Sequence, residues 1–315
     1  MSDIKLGIIG AGNIAAKHLE VIRDIESLTV TGITSRTLRK ADTLAKEFKI
    51  PEVYQSSEEL IEQGKPDALL ILVSADQIFA VAQNVMPFKL PVFIEKPPGL
   101  HPAQTEYLAE MSDKFNIPNM VGYNRRYYSI FHKGLDIVRS RGKLLGVAIE
   151  GHERFWNVAD RVNDSIRLNW IFGNSTHTID LLRFFGGEIK TISTVRKIYR
   201  EKKGDQFCSA MEFDSGALGN YLAHWYSPGG WVARLFGEGV TVEFKPLEKG
   251  VYTDTDFNTH EIIPDDIDIK YKPGFFKQME EFKRLIETNE LNWPGQNLKQ
   301  IHATMLLAEN ISMPG

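Results

Sequence analysis

A glycine-rich loop near the start of the chain has the spacing of a phosphate-binding turn. Residues 10–15 read GAGNIA and come between the apolar run Ile4–Ile9 and a segment with helical periodicity. In such a loop Gly10 permits a tight turn, Gly12 lets the backbone approach a pyrophosphate, and the first helix amides face the phosphate charge. The pattern predicts a dinucleotide site, with a purely structural glycine turn as the alternative. The predicted contacts are Gly10, Gly12, Asn13 and Ile14.

The end of the second predicted strand, Leu28–Thr34, indicates which nicotinamide cofactor the chain prefers. Sites that prefer NAD(H) usually place Asp or Glu there to bind the ribose 2′-hydroxyl. This chain instead continues with Ser35 and Arg36, and it has two more cations at Arg39 and Lys40. An arginine can pair with the 2′-phosphate of NADP(H), and a serine can donate to it. We therefore expect NADP(H) to be favoured over NAD(H); the alternative is that these cations are solvated on the next helix.

A lysine follows the fifth predicted strand, Pro91–Glu95, at the sheet edge where ligands bind in open α/β folds. There Lys96 can donate a hydrogen bond to a substrate oxygen or, if burial lowers its pKa, act as a base. A cis bond before Pro97 is one way to set the direction of this side chain. If the motif stood alone, a surface lysine before a loop would be the better interpretation. The cofactor contacts predicted at this edge are Ser74, Glu95 and Lys96.

A histidine and an aspartate lie one helical turn apart in the second half of the chain, where residues 177–180 read HTID. His177 titrates near neutrality and can exchange a proton in each turnover, although a lone histidine is more often structural. Asp180, on the same helix face, can orient the imidazole or contact a substrate. Both are predicted to be catalytic, together with Lys96. The other histidines show no metal-ligand spacing, so no metal is predicted.

The elements that must position these residues change in pattern after Tyr123. Before it, strands and helices alternate, which predicts a parallel sheet with helices on both faces. After it, strands follow in series with one helix near Ser175–Phe185, which predicts an antiparallel sheet. The strands predicted there are Gly146–His152, Ile189–Tyr199, Gln206–Phe213, Ala217–Trp225, Val232–Phe236 and Val240–Phe244, and two amphipathic helices, Gly274–Thr288 and Asn297–Ile311, close the chain.

The predicted fold is thus an α/β Rossmann domain over residues 1–123 and an α+β domain over residues 124–315. The second domain is expected to hold a large, mostly antiparallel open sheet. We expect the first domain to bind the dinucleotide and the second to bind substrate and to form oligomer contacts. The C-terminal helix is a candidate to pack back on the first domain.

Composition excludes several classes of protein. The 315 residues carry a net charge of −4, without the basic stripe that nucleic-acid binding usually requires. The chain has one cysteine, Cys208, which rules out an internal disulfide and a CxxC metal site. The N-terminus lacks the basic region of a signal peptide, and no apolar run approaches the roughly 20 residues of a membrane helix. We therefore expect a cytoplasmic protein that binds neither nucleic acid nor membrane.

Taken together, the motifs resemble those of the Gfo/Idh/MocA family of NAD(P)-dependent sugar and cyclitol oxidoreductases. The resemblance rests on GxGxxA at residues 10–15, EKP at residues 95–97 and HTID at residues 177–180, in the right order and spacing. It extends to VGYNRRY at residues 121–127 and to the start of the helix after Gly274. It therefore covers essentially the whole chain.

The resemblance implies hydride transfer between the nicotinamide and a secondary hydroxyl or ketone of a sugar, sugar nucleotide or cyclitol. In that reaction Lys96 and His177 would handle the hydroxyl proton. Family members commonly pair their open sheets, so a homodimer or homotetramer is expected. The predicted substrate contacts are His177, which the resemblance implies, together with Tyr123 and Arg126 at the domain junction and Asn174 before the histidine.

One position departs from the family pattern. Many members carry an aspartate four residues before the histidine, where this chain has Gly173. Two alternatives to a dehydrogenase stay open: a catalytically silent sensor of dinucleotide or sugar, and a glycosidase that uses tightly bound NAD transiently. The presence of Lys96 and His177 argues against the sensor. Net consumption of nicotinamide separates a dehydrogenase from the glycosidase.

Overall fold

The computed structural model describes residues 3–313, which form two compact units. Unit 1 contains the chain up to Asn124 together with Lys270–His302. Unit 2 contains Arg125–Ile269 together with the chain from Ala303 onward. The chain therefore passes from unit 1 into unit 2, returns to unit 1, and then enters unit 2 a second time.

Unit 1 is built on a parallel sheet whose central strands are mostly apolar. Within residues 3–313 this sheet has six strands in the order β3-β2-β1-β4-β5-β6, and every pairing is parallel. This is the doubly wound order of dinucleotide-binding folds, and it confirms the predicted Rossmann architecture. All residues of β4 and β5 are buried, because helices cover both faces of such a sheet. The strands are β1 Ile4–Ile9, β2 Leu28–Thr34, β3 Glu52–Tyr54, β4 Ala68–Ile71, β5 Val92–Glu95 and β6 Asn119–Gly122.

The third helix of unit 1 begins at a side-chain cap that the sequence supplies. Ser56 precedes the third helix, and its hydroxyl accepts a hydrogen bond from the Glu59 amide at 3.1 Å. Glu59 reaches back to the Gln55 amide at 2.7 Å, so this helix start has reciprocal capping. The first five helices are α1 Asn13–Ile22, α2 Leu38–Phe48, α3 Ser57–Gly64, α4 Ala75–Val85 and α5 Pro102–Phe115.

Unit 2 is built on a larger sheet. Over the described part of the chain it has eight strands in the order β14-β13-β12-β11-β7-β10-β9-β8. Its pairings are antiparallel except for β7 with β10, as predicted for a mostly antiparallel sheet. The strands are β7 Leu144–Gly151, β8 Ile189–Lys197, β9 Gln206–Phe213, β10 Leu218–His224, β11 Trp231–Gly237, β12 Val240–Phe244, β13 Gly250–Thr253 and β14 Thr259–Ile262.

The last two strands were not predicted. They have four residues each, and β14 is exposed at its first three positions. A short edge strand with little buried surface carries no alternating apolar pattern, so pairing with β12 rather than local sequence defines this hairpin.

Helices cover one face of the unit 2 sheet. They are α6 Ser129–Arg141, α7 Phe155–Val158, α8 Asp164–Leu168 and α9 Thr176–Gly186, of which α9 packs on β7 and α6 on β11 and β12. A π-helical turn, Ile171–Ser175, leads directly into α9. On the opposite face, strand register places Leu218 and Phe236 on either side of Gly146, and Val195 lies farther along the same face on the edge strand β8; all three are exposed.

Three helices complete the chain: α10 Asp266–Lys270, α11 Phe275–Thr288 and α12 Leu298–Ser312. In unit 1, α11 packs against α1. Its first residue, Phe275, lies 4.7 Å from the buried His18 ring of α1, measured between ring centroids. Residues 270–302 therefore contribute to the same core as the N-terminal strands.

Candidate functional site

The phosphate-loop prediction can be tested at Gly10. This residue adopts φ +116°, a conformation that L side chains rarely take. A Cβ at this position would lie 2.6 Å from the Leu72 carbonyl carbon at the end of β4. Gly10 is therefore required by the protein's own packing, because the turn passes directly over the neighbouring strand.

Gly12 is a glycine for a different reason. It is the N-cap of α1, with φ −89°, and a Cβ there would meet nothing within 4 Å. No side chain caps the first turn of α1, so its amides are available to a ligand. The fully buried Ala15 lets the helix lie close to the sheet. The open space over Gly12 and the uncapped amides fit a pyrophosphate, which a side chain at this position would displace.

The loop forms one wall of a cavity of about 420 Å³ in unit 1. Five of the predicted cofactor residues line it: Gly10, Gly12, Ser35, Arg36 and Ser74. The other four, Asn13, Ile14, Glu95 and Lys96, are not among the lining residues. Residues that sequence reasoning did not assign to the site also line it: Lys40, Gln55, Ser56, Ser57 and Gln77. We call this space the cofactor cavity.

The charge of the cofactor cavity is positive. Among the described residues, those that line it include Arg36 and Lys40 but no Asp or Glu. Both cations are exposed, and neither forms an ion pair within residues 3–313. Ser35 lies beside them and accepts a weak hydrogen bond of 3.4 Å from the Thr37 amide. The cavity is therefore suited to an anionic ligand at the end of β2.

At the end of β5, Glu95 serves an internal contact. Its Oε1 lies 2.8 Å from His18 Nε2, and its Oε2 accepts from the Lys96 amide at 3.1 Å. His18 is fully buried, with Phe93 and Phe275 packed around it. These contacts tie β5 to α1 and give Glu95 a structural role.

Lys96 is half-buried just after β5, at the carboxyl edge of the sheet as predicted. The Lys96–Pro97 bond is cis, also as expected. Tyr123, which follows β6 in the same unit, is only 1% exposed. Their catalytic and substrate-binding roles stay predictions.

In unit 2, His177 lies in the first turn of α9, a helix whose residues are all buried. Its ring centroid lies 5.9 Å from that of Trp231 on β11. The Arg125 guanidinium lies over the same Trp231 ring, 4.5 Å from its centroid. Trp231 therefore packs against two residues that carry or can carry positive charge.

Asp180 forms a buried ion pair. Its Oδ2 and Oδ1 accept from Arg126 at 2.6 and 2.8 Å, and Oδ1 also accepts from the Thr304 hydroxyl at 2.8 Å. The exposed fractions of Asp180 and Arg126 are only 1% and 2%. Both carboxylate oxygens are thus engaged, and the bidentate geometry joins α9 to the segment before α6.

Sequence reasoning missed a buried carboxylate beside the same helix. Glu153 lies two residues beyond β7 and is 4% exposed. It accepts hydrogen bonds from Asn174 Nδ2 at 2.9 Å and from Ser175 Oγ at 2.8 Å. A charged residue just past the carboxyl end of an apolar strand was the available signal.

The hydrogen bonds continue from Ser175 to the centre of the sheet. Thr178 donates to the Ser175 carbonyl at 2.9 Å and lies 3.3 Å from the Tyr221 hydroxyl. Burial raises the pKa of Tyr221, and the nearby Glu153 charge adds to this, so the phenol stays protonated. We call Glu153, Asn174, Ser175, Thr178 and Tyr221 the polar cluster.

Residues 3–313 contain neither a candidate membrane helix nor a candidate metal site. In that range no helix is both long enough and apolar enough to cross a membrane. In the same range no three His, Cys, Asp or Glu side chains group as a metal-binding set.

Comparison with known proteins identifies relatives. Residues 4–123 match the Gfo/Idh/MocA family, described as an oxidoreductase family with an NAD-binding Rossmann fold. Myo-inositol 2-dehydrogenase from Thermotoga maritima is 26% identical over 227 residues, which cover 69% of this chain and 67% of the relative. The scyllo-inositol 2-dehydrogenase (NAD⁺) of Bacillus subtilis is 21% identical over 315 residues, covering 91% and 87%.

The fold is shared with solved structures. An oxidoreductase from Agrobacterium radiobacter, solved with NAD⁺, L-tartaric acid and magnesium, superposes with a TM-score of 0.81. The match covers 98% of this chain and 95% of that chain at 15% identity. At this identity the likeness concerns the fold alone, and it includes both units.

Proposed function

We propose that this chain, whose residues 4–123 match the Gfo/Idh/MocA oxidoreductase family, is a dehydrogenase or reductase of a sugar or cyclitol. The relatives named as inositol dehydrogenases support this substrate class. The observation that carries the proposal is the open space over Gly12, which adjoins uncapped helix amides and a positive cavity. That combination serves a dinucleotide and has no packing role.

The residues of unit 1 would hold the cofactor. The amides of α1 would face the pyrophosphate, and the end of β2 would receive the adenosine ribose. A bound nicotinamide supplies or accepts the hydride. This part of the protein thus contributes binding and orientation.

Proton transfer would fall to Lys96 and His177. A lysine can donate to the substrate oxygen, and a histidine can take or return a proton near neutral pH. The expected signature is loss of turnover in Lys96→Ala and His177→Ala with cofactor binding retained.

For Asp180 and Arg126 we propose a positioning role in place of the catalytic and substrate-binding roles predicted from sequence. Their charges satisfy each other in a buried bidentate pair. Breaking that pair to contact a substrate would leave a buried charge without its partner. The pair would instead hold α9, and with it His177, in place.

We further propose that NADP(H) is preferred over NAD(H). The support is the absence of Asp and Glu among the described lining residues and the presence of Arg36 and Lys40. A 2′-phosphate would gain charge-assisted hydrogen bonds from Arg36, which the ribose hydroxyl of NAD(H) cannot match. A protein of the same fold has been solved with NAD⁺, so the preference between NADP(H) and NAD(H) must be measured for this chain.

Cofactor titration tests these proposals. NADPH and NADH are each titrated into purified protein while nicotinamide fluorescence is followed. Wild type should bind NADPH at least about tenfold more tightly, and Arg36→Ala should lose that difference, since a charge-assisted bond is removed. Arg39→Ala is the matched control, because Arg39 lies three residues further on, in the first turn of α2, and does not line the cavity.

Each other result has a defined meaning. Tighter NADH binding would retain the dinucleotide site and reverse the cofactor preference. Binding of neither cofactor would refute the dinucleotide proposal as a whole.

A homo-oligomer is also proposed, through the open face of the unit 2 sheet. Val195 is 65% exposed and Leu218 is 66% exposed on that face, where a large apolar patch usually marks an interface. Light scattering coupled to gel filtration should give a dimer or tetramer, and Leu218→Glu should shift it toward monomer. A monomeric wild type at micromolar concentration would refute this proposal.

A further inference from the structure

Glu153 occupies a position that stability alone does not explain. A buried carboxylate loses its hydration, and apolar side chains of similar volume usually serve a core at least as well. Here the cost is offset by hydrogen bonds from Asn174 and Ser175. Buried charged groups that are held in this way are concentrated at functional sites.

The backbone brings Glu153 to α9 by close packing. A Cβ on Gly151, the last residue of β7, would lie 2.9 Å from Thr178 Oγ1. The glycine therefore lets the end of β7 approach the helix, and Glu153 follows two residues later. It meets the π-helical turn Ile171–Ser175, a type of irregularity that is frequent at functional sites.

The same turn contains Gly173, which has no side chain to offer at the position of the family's aspartate. Glu153, in the segment after β7, supplies a carboxylate to that turn. The carboxylate therefore comes from a different position in the sequence than the family's aspartate does. It still lies beside residues 174 and 175.

The contact with Glu153 decides how the Asn174 amide is oriented. An ionised carboxylate can only accept hydrogen bonds, so the amide must present Nδ2 to it. This leaves Asn174 Oδ1 facing away, and no residue among 3–313 donates to it. Asn174 is only half-buried, so part of this residue is exposed to solvent.

We propose that Glu153 is a positioning residue that makes Asn174 an obligate hydrogen-bond acceptor for a hydroxyl group of a polyol substrate. The inference rests on the proposed function and adds a rule of recognition. A hydroxyl can donate to Oδ1, whereas a ketone oxygen or a carboxylate at the same point cannot. The site would therefore select substrates that carry a hydroxyl next to the reacting carbon.

A double-mutant cycle tests whether Glu153 acts through Asn174. Wild type, Glu153→Gln, Asn174→Ala and the double variant are assayed with myo-inositol, scyllo-inositol and D-glucose as probes. Glutamine can donate as well as accept, so Glu153→Gln releases the amide orientation while keeping the volume. Each single variant should raise KM about tenfold with kcat changed much less, as expected for a lost hydrogen bond to substrate.

The double variant decides the question. If Glu153 works through Asn174, its KM should equal that of Asn174→Ala, whereas independent effects would multiply to about a hundredfold. Glu153→Asp should recover part of the loss, because it restores an acceptor-only group. Thr194→Ala, which removes a hydroxyl contact with Ser209 elsewhere in unit 2, is the control for general disturbance of this unit and should leave KM near that of wild type.

Failure of this inference is distinguishable from failure of the proposed function. Multiplying effects, or a Thr194→Ala defect equal to that of Glu153→Gln, would overturn the inference and leave the dehydrogenase intact. Binding of NADPH or NADH without turnover of any of the three polyols would overturn the inference and leave the dinucleotide site. Absence of cofactor binding would remove both.

Discussion

The cofactor cavity of unit 1 and the polar cluster of unit 2 treat charge in opposite ways. In the cavity, Arg36 and Lys40 are exposed and have no carboxylate beside them. In unit 2, Glu153 is buried beside two donors, and the neighbouring Asp180 is paired with Arg126. An exposed, unbalanced charge is available to a ligand, whereas a buried and balanced one holds other groups in place.

The two regions also differ in what builds them. One wall of the cavity is the backbone of one short loop, and there Gly10 and Gly12 are the residues that matter. The polar cluster consists of side chains from the segment after β7, the π-helical turn, α9 and β10, which meet only after folding. Changes to the two regions should therefore have different consequences for stability and for binding.

The largest effect is expected from the buried ion pair. Asp180→Ala should lower the free energy of unfolding by about 3–5 kcal/mol, because it leaves the Arg126 guanidinium buried without its partner. Urea denaturation followed by tryptophan fluorescence measures this. Glu212→Ala, which breaks an exposed pair with Lys190 in the same unit, is the control and should leave stability nearly unchanged. A similar small change for Asp180→Ala would show that the pair does not support unit 2.

The two glycines of the loop should separate stability from binding. Gly10→Ala should cost roughly 2–4 kcal/mol of stability through backbone strain and the clash with Leu72. Gly12→Ala should cost less than about 1 kcal/mol, since the new methyl group enters open space at a helix N-cap. It should nevertheless weaken dinucleotide binding at least about tenfold, because that space receives the pyrophosphate. Thermal melting and the fluorescence titration measure the two effects.

The glycine comparison has a clear contrary outcome. If Gly12→Ala binds NADPH as well as wild type does, the open space is not the phosphate site. The loop would then be a structural turn that needs only Gly10.

The smallest effect is expected from the titration of His152, which follows β7 and precedes Glu153 in the sequence. It concerns the dependence of stability on pH. The pKa of His152 is lowered from 6.5, first by burial, while Glu150 opposes this and a charge on His224 reinforces it. The unfolded chain therefore takes up the proton more readily than the folded one. Stability from this group is present above pH 6.5 and is lost as the pH falls toward the lower folded pKa.

His152→Gln isolates this contribution. Wild type should lose slightly more thermal stability than the variant between pH 7.5 and pH 5.5. Equal losses in both proteins would show that His152 titrates in the folded state as it does in the unfolded chain.

Local sequence was a good guide where the backbone makes the structure. The glycine spacing, the apolar runs of β1 and β4, and the capping sequence before α3 each describe contacts made within a few residues. Such contacts are written in consecutive positions, so the parallel sheet, the loop and the lysine at its carboxyl edge could be predicted.

Contacts between side chains that are far apart in the sequence could not be predicted in this way. Asp180 and His177 share a helix face in sequence, yet the Asp180 carboxylate binds Arg126 and Thr304, which are far away along the chain. Glu95, predicted to bind cofactor, contacts the buried His18, a partner that the sequence did not indicate. A charged side chain takes the partner that satisfies it best, and that choice depends on which segments the fold brings near.

The residue types and their order were enough to specify a dinucleotide loop, a catalytic lysine and histidine as candidates, and two kinds of sheet. Folding alone assigned each buried charge to its partner and placed Glu153 beside Asn174. The physical reason is range. Turn and helix preferences act over a few residues, whereas the pairing of buried polar groups is set by burial, which the whole packed chain creates.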